Sequence, residues 1–423
     1  MFKYLLYFLF ASELVGIILM ENGAYSVSCG TGYRNGASLA FCGYIVLVLV
    51  AFFFTIKTNL FSFSFKRRNK DYNNFKSLSI VVLSVNLLFL FIMLFGAGAI
   101  NVLLLKIGRG ELRSTMGLLG TLGLGSLGQM ITKGFAPVLL SCLSFVYRKT
   151  RKSLTNKLLL LINFITVFLI GGVLGYKSAA VFVLLPSLVI LYWKIPLRKV
   201  ISFFLISIII FVLFAAVYDK KELNLSGIQN TGFTMPSNNA ISFLLYRMTV
   251  LQGDVPWKVW DMHVNNKGLF PYTPTLLAVI GDKMLNVFTG ISRRESFSKF
   301  ASFHYATMLT HDVGYPLYAL QSGYTNVSGS IFSEGLIAGG LVGVIILSIF
   351  AGIFAGINYK LIKHSIKNNN IVVASIASTY FCFGVFSWLN SGGIVTLFHI
   401  ATILQFVIAF VLIKLVISIT KGL

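Results

Sequence analysis

The sequence predicts an all-α polytopic membrane protein, with about ten transmembrane helices and one large, partly helical loop on the outer face. Three observations predict it. The chain is 57% hydrophobic and 11% charged, outside the range of soluble domains. Apolar runs long enough to cross about 30 Å of hydrocarbon recur along its length. Basic residues gather in short loops at alternate ends of those runs, as the positive-inside rule requires.

The first run, Phe2–Met20, carries Lys3 near its start. It has no small-x-small cleavage site and further spans follow it, so it reads as a retained helix rather than a signal peptide. Ala37–Ile56, Ser77–Leu105, Gln129–Val146, Leu158–Leu174, Ala179–Trp193 and Val200–Val217 follow, giving residues 1–218 seven spans. Met116–Gly128 is short and rich in glycine, which disfavours helix, and reads as a re-entrant or interfacial piece. Residues 219–328 form the large loop. Gly329–Ile357, Ile371–Leu389 and Ile394–Ile417 are the three spans of residues 329–423.

A net charge of +23 suggests nucleic acid, yet topology accounts for much of it. The loops Lys57–Lys76, Arg148–Lys157, Lys194–Lys199 and Lys360–Lys367 contain many bases and a single acid, Asp71. They are assigned to the cytoplasm, so with ten spans both termini are cytoplasmic and residues 219–328 face outward. Cys142 and Cys382 lie within spans and Cys29 and Cys42 near the outer face, which makes no disulfide framework. No internal repeat relates the two halves, which weighs against inverted-repeat transporters. There is no Walker A loop, Rossmann fingerprint or HExxH, hence no support for an ATP-driven pump or zinc protease, and no cofactor or metal is expected.

The large loop is the chemical anomaly. At about 110 residues it is far too long for an ordinary connection, and it holds five of the eight prolines, seven of the twelve acids and three of the five histidines. Within it, Ile241–Gln252 has near-helical apolar spacing around Arg247, for which Asp254 or Asp261 is a ready structural partner. Thr275–Ile291 carries an apolar stripe suited to lying along the membrane interface. Ser298–Gly335 gathers His304, His311, Asp312 and Glu334, the densest polar constellation, and His or carboxylate there suits general-base work on a hydroxyl. Trp257, Trp260, Tyr272, Tyr305 and Tyr318 suit stacking on sugars, although aromatics collect at membrane interfaces without any ligand.

Ionisable groups at membrane depth each need an account: Glu13, Lys133, Lys177, Glu334 and His399. For Glu13 and His399 the simpler one is a buried structural hydrogen bond. Lys177 occupies a very short outer turn. With Lys106, Arg109, Arg113, Arg247, Arg293 and Arg294 it makes a set of outward cations suited to an anionic ligand, arginine above all because its fork donates two hydrogen bonds to phosphate. Attraction to anionic lipid is the plainer alternative.

This layout, with Leu244-Leu-Tyr-Arg247, Gln252-Gly-Asp254 and Ser328-Gly-Ser-Ile-Phe-Ser-Glu334-Gly before the glycine-rich Gly339–Gly356, resembles the Wzy-type O-antigen polymerases, bacterial oligosaccharide repeat-unit polymerases. The likeness covers most of the chain as topology and is moderately specific in motif; Lys177 stands where many relatives carry arginine. The resemblance implies a GT-C-like membrane glycosyltransferase of the bacterial inner membrane. Such an enzyme transfers a growing glycan from undecaprenyl pyrophosphate to a lipid-linked repeat unit, alongside a flippase and a chain-length regulator. It further implies Arg113, Lys177, Arg247, Arg293 and Arg294 for pyrophosphate, and His311, Glu334 or Asp254 as base. An O-antigen ligase is the nearest rival reading, and a lipid-linked oligosaccharide flippase the rival from another class.

Overall fold

The computed structural model describes residues 1–26, 30–58, 63, 75–104, 125–150, 153–173, 179–196, 199, 246, 249–265, 329–398 and 400–422. Eight helices among these are long and apolar enough to cross a membrane, and the protein is a mostly helical, multi-pass membrane protein. Helix α1 spans Phe2–Glu21 and leads through a small antiparallel pair, β1 (Tyr25–Ser26) and β2 (Gly30–Thr31), into α2 (Ala37–Lys57). Then come α3 (Phe75–Gly96), α4 (Leu127–Tyr147) and α5 (Leu154–Val173), followed by the shorter apolar α6 (Ala180–Leu191). Val250–Val264 is α7, Ile331–Lys367 is α8, Ile371–Ser391 is α9 and Ile400–Gly422 is α10.

Most of the expected spans appear within a few residues of their predicted limits. The third ends early, at Gly96, because the chain turns at Gly98, whose φ of +75° is left-handed and open to glycine alone at little cost. The sixth is short and interrupted by turns at Val183 and Leu184. The seventh, Val200–Val217, lies outside the described residues, as do Thr275–Ile291 and most of the glycine-rich piece. The end of that piece, from Gly125, is helical and runs into α4.

Two apolar cores share α6 and α9. One joins α1, α2, α7 and α8 around Phe41, Phe52, Trp257, Phe332 and Trp388; the other joins α3, α4, α5 and α10 around Leu139, Leu143 and Val167. Large apolar side chains remain exposed along the outside, among them Leu87, Phe91, Leu161, Ile165, Ile346, Val407 and Val411. A soluble monomer rarely shows so much apolar surface, whereas lipid covers it at no cost.

Helices α2 and α8 run in the same direction in close contact. Gly352 faces Val48, Ala51 and Phe52, Gly356 faces Thr55, and Lys360 donates to the carbonyl of Thr58. Small residues let the backbones approach, the usual means of helix association in lipid. Lys57, Arg148 and Lys363 mark one end of the bundle, here the basic end, and β1–β2 marks the opposite, hairpin end.

At the hairpin end α8 is broken. Gly340 has φ +61° and ψ −144°, and the chain reverses there. A Cβ on Gly335 would lie 2.6 Å from the Cα of Val344, although residues nine apart in a continuous helix stand about 13 Å apart. Residues 331–338 are therefore a short arm folded back along residues 341–367. The arm sits inside the bundle, with the ring of Phe332 5.4 Å from Phe41 and 5.9 Å from Tyr44.

Candidate functional site

The hairpin end brings together α7, the segment between α1 and α2, and the short arm of α8. Helix α7 crosses α1 backbone to backbone. A Cβ on Gly16 would lie 2.6 Å from the amide nitrogen of Gly253, and one on Gly253 would lie 2.6 Å from the Cα of Gly16. Glycine at both positions is what permits the crossing.

Polar contacts then fix the orientation of α7. Ser26 Oγ donates to Asp254 Oδ2 at 2.8 Å, and the Asp254 Oδ1 accepts from the amide of Val255 at 2.7 Å. The indole N–H groups of Trp257 and Trp260 donate to the carbonyls of Tyr33 and Asn35, each at 3.0 Å. Tyr33 donates its hydroxyl to Asp261, which also accepts from Asn265 at 2.9 Å. These two tryptophans thus serve to dock the helix, and Trp257 is fully buried.

Hydrogen bonding to Asp261, and after it burial, pushes the Tyr33 phenol above its ordinary value. A raised phenol contributes stability in full below about pH 10 and loses it as pH climbs through the raised value. Tyr33→Phe is expected to loosen the end of α7 by about 1 kcal/mol, the bond being partly exposed. Hydrogen exchange checks this: protection of α7 should fall above about pH 10 in the parent and be lower, without that alkaline step, in the variant.

Farther along, α7 roofs the short arm. Trp260 lies 6.0 Å from Phe332, ring to ring, and a Cβ on Gly340 would come within 3.2 Å of His263 Cε1. On the arm, Glu334 is wholly buried and reaches across to α9 and the turn after it. Its Oε2 accepts from Trp388 Nε1 at 3.0 Å and from the amide of Gly393 at 2.8 Å, and its Oε1 accepts from the amide of Ile394 at 2.8 Å. Gly392 and Gly393, with φ of +73° and +82°, shape the turn that aims those amides. All three partners are donors, so they complement a carboxylate anion and join the arm to α9.

Beside this anchor is a second polar group without such satisfaction. Glu13 of α1 lies beside the Ser330 hydroxyl at the start of the arm, and the hydroxyl of Tyr44 of α2 lies within electrostatic reach of both Glu13 and Glu334. Among the described residues, both carboxylate oxygens of Glu13, the hydroxyls of Tyr44 and Ser330, and that of Ser333 have no partner in strict hydrogen-bonding geometry. The four residues are at most 2% exposed. The Ser330 hydroxyl beside it is the group placed to supply the structural hydrogen bond expected for Glu13.

Of the residues singled out in the sequence, Asp254 on α7 and Glu334 on the arm of α8 thus lie at the hairpin end. Lys133 is exposed on a π-helical turn of α4. Arg113, Lys177, Arg247, Arg293, Arg294, His311 and His399 lie outside the described residues. The sequence gives no signal for Tyr33 or Tyr44; Ser330 and Ser333 stand in the string around Glu334 at the start of an apolar run. Among the described residues no group of His, Cys, Asp and Glu is placed to hold a metal ion. Comparison with models of protein families, with curated proteins and with solved structures finds no match to the chain.

Proposed function

We propose that the protein is a GT-C-like membrane glycosyltransferase that polymerises undecaprenyl-pyrophosphate-linked oligosaccharide units into O-antigen or a related surface polysaccharide. In this reading the basic end faces the cytoplasm of a bacterial inner membrane and residues 219–328 form a periplasmic loop. One observation carries the proposal furthest. Helix α7, part of the long polar segment, is folded into the bundle over the intramembrane arm, which supports a loop working at the mouth of the helices rather than away from them.

The chemistry then follows from charge. The leaving group is a lipid pyrophosphate, so the barrier falls when cations neutralise the charge that gathers on it. Arg113, Lys177, Arg247, Arg293 and Arg294 are assigned that task. A base must take the proton of the acceptor hydroxyl. Glu334 already accepts three hydrogen bonds and Asp254 two, so His311 is the favoured base. A flippase and a chain-length regulator are the expected partners.

The test is deletion followed by electrophoresis of surface lipopolysaccharide. Loss of the ladder with retention of core bearing one repeat is expected; core alone would point to a ligase or flippase. Arg247→Ala and Arg293→Ala should each lower chain extension in vitro at least a hundredfold, about 2.7 kcal/mol of transition-state stabilisation, with normal protein levels. Wild-type ladders from both variants would remove those residues from the site.

A transporter of lipid-linked oligosaccharide is the second reading. The buried Glu13 and the broken α8 favour it, since discontinuous helices and buried acids recur in transporters. Extension of lipid-linked repeats by the purified protein would exclude transport as its sole activity.

A further inference from the structure

We propose that Lys133 is a binding residue for the phosphate end of an anionic membrane lipid, in a cleft within the half of the bundle built from α3, α4, α5 and α10. Resting on the glycosyltransferase reading, that lipid is the pyrophosphate-linked donor. A cation within a membrane span calls for a counter-charge. The spans α3, α4, α5 and α10 contain no acid, and Lys133 makes no ion pair or hydrogen bond among the described residues.

Its surroundings distinguish it from a lysine that merely reaches toward bulk lipid. Helix α4 is packed by α3, α5, α6, α9 and α10, and every residue from Gly134 to Val146 is buried. Gln129 and Lys133 are exposed, four positions apart and so on one face. Lys133 belongs to the π-helical turn Ile131–Phe135, a local irregularity that often marks functional sites. Beside it, a Cβ on Gly134 would stand 2.6 Å from Gln405 Cγ of α10, and the ring of Phe135 lies 6.0 Å from that of Phe89 of α3. The accessible face of α4 therefore begins at Gln129 and closes just beyond Lys133. Protein surrounds the ammonium on most sides while the cleft keeps it accessible.

Depth and chemistry select the ligand. Lys133 precedes Tyr147, at the basic end, by 14 positions, about 21 Å along the helix, where the hydrocarbon is about 30 Å thick. Helical side chains lean toward the N-terminus, which for α4 is the hairpin end. The four-carbon stem thus carries the ammonium toward the headgroup level of that leaflet. An ammonium offers three donors and a full positive charge, which suit phosphate oxygens. A phosphate borne on a lipid is held at this depth by its tail, whereas a free phosphate would have to leave water unaided. Lys133 thereby joins the cations assigned above to pyrophosphate.

Thermal melting of the purified full-length protein in phosphatidylcholine nanodiscs tests it, with undecaprenyl pyrophosphate added in increasing mole fraction. A saturable rise in melting temperature is expected. Lys133→Gln should raise the half-saturating fraction at least about tenfold, the loss of one charge-assisted hydrogen bond, while Lys133→Arg, which keeps the charge, should bind nearly as the parent does. Gln129→Trp, which fills the mouth of the cleft, should weaken binding as Lys133→Gln does and reads the same site if that variant does not fold. Two further arms identify the source of the phosphate: phosphatidylglycerol and inorganic pyrophosphate, at matched phosphate, should have little effect. An equal, Lys133-dependent rise with phosphatidylglycerol would keep the lipid-phosphate site and overturn its assignment to the donor. Such a rise with inorganic pyrophosphate but neither lipid would overturn the lipid itself. Unchanged half-saturation in Lys133→Gln, or in Gln129→Trp where Lys133→Gln does not fold, would overturn the site. None of these measurements requires chain extension, so their outcome is separate from that of the deletion test.

Discussion

Glu334→Ala is expected to cost about 3–5 kcal/mol and to leave little folded protein. The loss comes from the donors left behind. The indole N–H of Trp388 and the amides of Gly393 and Ile394 all point at this carboxylate in a fully buried setting, and each bond to a charged acceptor is worth about 1.5–3 kcal/mol. The three do not add fully because they share one group. Removing one side of a buried charged pairing nonetheless typically costs about 3–5 kcal/mol, a large part of the roughly 5–15 kcal/mol that holds a domain together. Glu334→Gln should fail as well, because its amide turns an N–H₂ toward N–H donors. Melting temperature and folded yield by size-exclusion chromatography check both variants. A Gln variant that melts as the parent does yet no longer extends glycan would show instead that the carboxylate moves a proton.

The lipid-facing architecture was legible because the bilayer demands long apolar runs. The second helix was expected at Ala37–Ile56 and spans Ala37–Lys57. The reversal inside α8 was not legible, since the apolar pattern continues on both sides of Gly339-Gly340 and a glycine pair alone states no direction. Glu334 and Asp254 were visible as acids needing an explanation. Their partners were not. Glu334 is met chiefly by backbone amides about sixty positions away, which carry no side-chain signature, and Asp254 by a serine 228 positions away. Trp257 and Trp260 looked equally suited to stacking on sugars, and only tertiary contact showed that their N–H groups dock α7. Tyr44 and Ser330 were ordinary in sequence; their burial beside Glu13 is what makes them notable.

Gly253→Val is expected to detach α7 from α1. Even the first atom of the new side chain would stand 2.6 Å from the Cα of Gly16, well inside the roughly 3.5–4.0 Å at which carbon atoms attract. The obstructing atoms are backbone, so no rotamer change relieves the contact and the helices must separate. Separation of about an ångström forfeits much of the packing and stretches the Ser26–Asp254, Trp257–Tyr33 and Trp260–Asn35 hydrogen bonds together. Overpacking costs about 1–3 kcal/mol and each such bond about 1 kcal/mol, for a total of about 4–6 kcal/mol confined to this end of the bundle. Gly16→Ala and Gly253→Ala should each do part of the damage, and their combination should fall short of the sum because they obstruct one contact. Hydrogen exchange over Val250–Val264 reads the effect directly: protection should collapse there while α4 and α5, in the other core, keep theirs. Parent-like protection in Gly253→Val would mean that these two glycines are not where α7 meets α1, and the reading of α7 as a fixed roof over the arm would go with it.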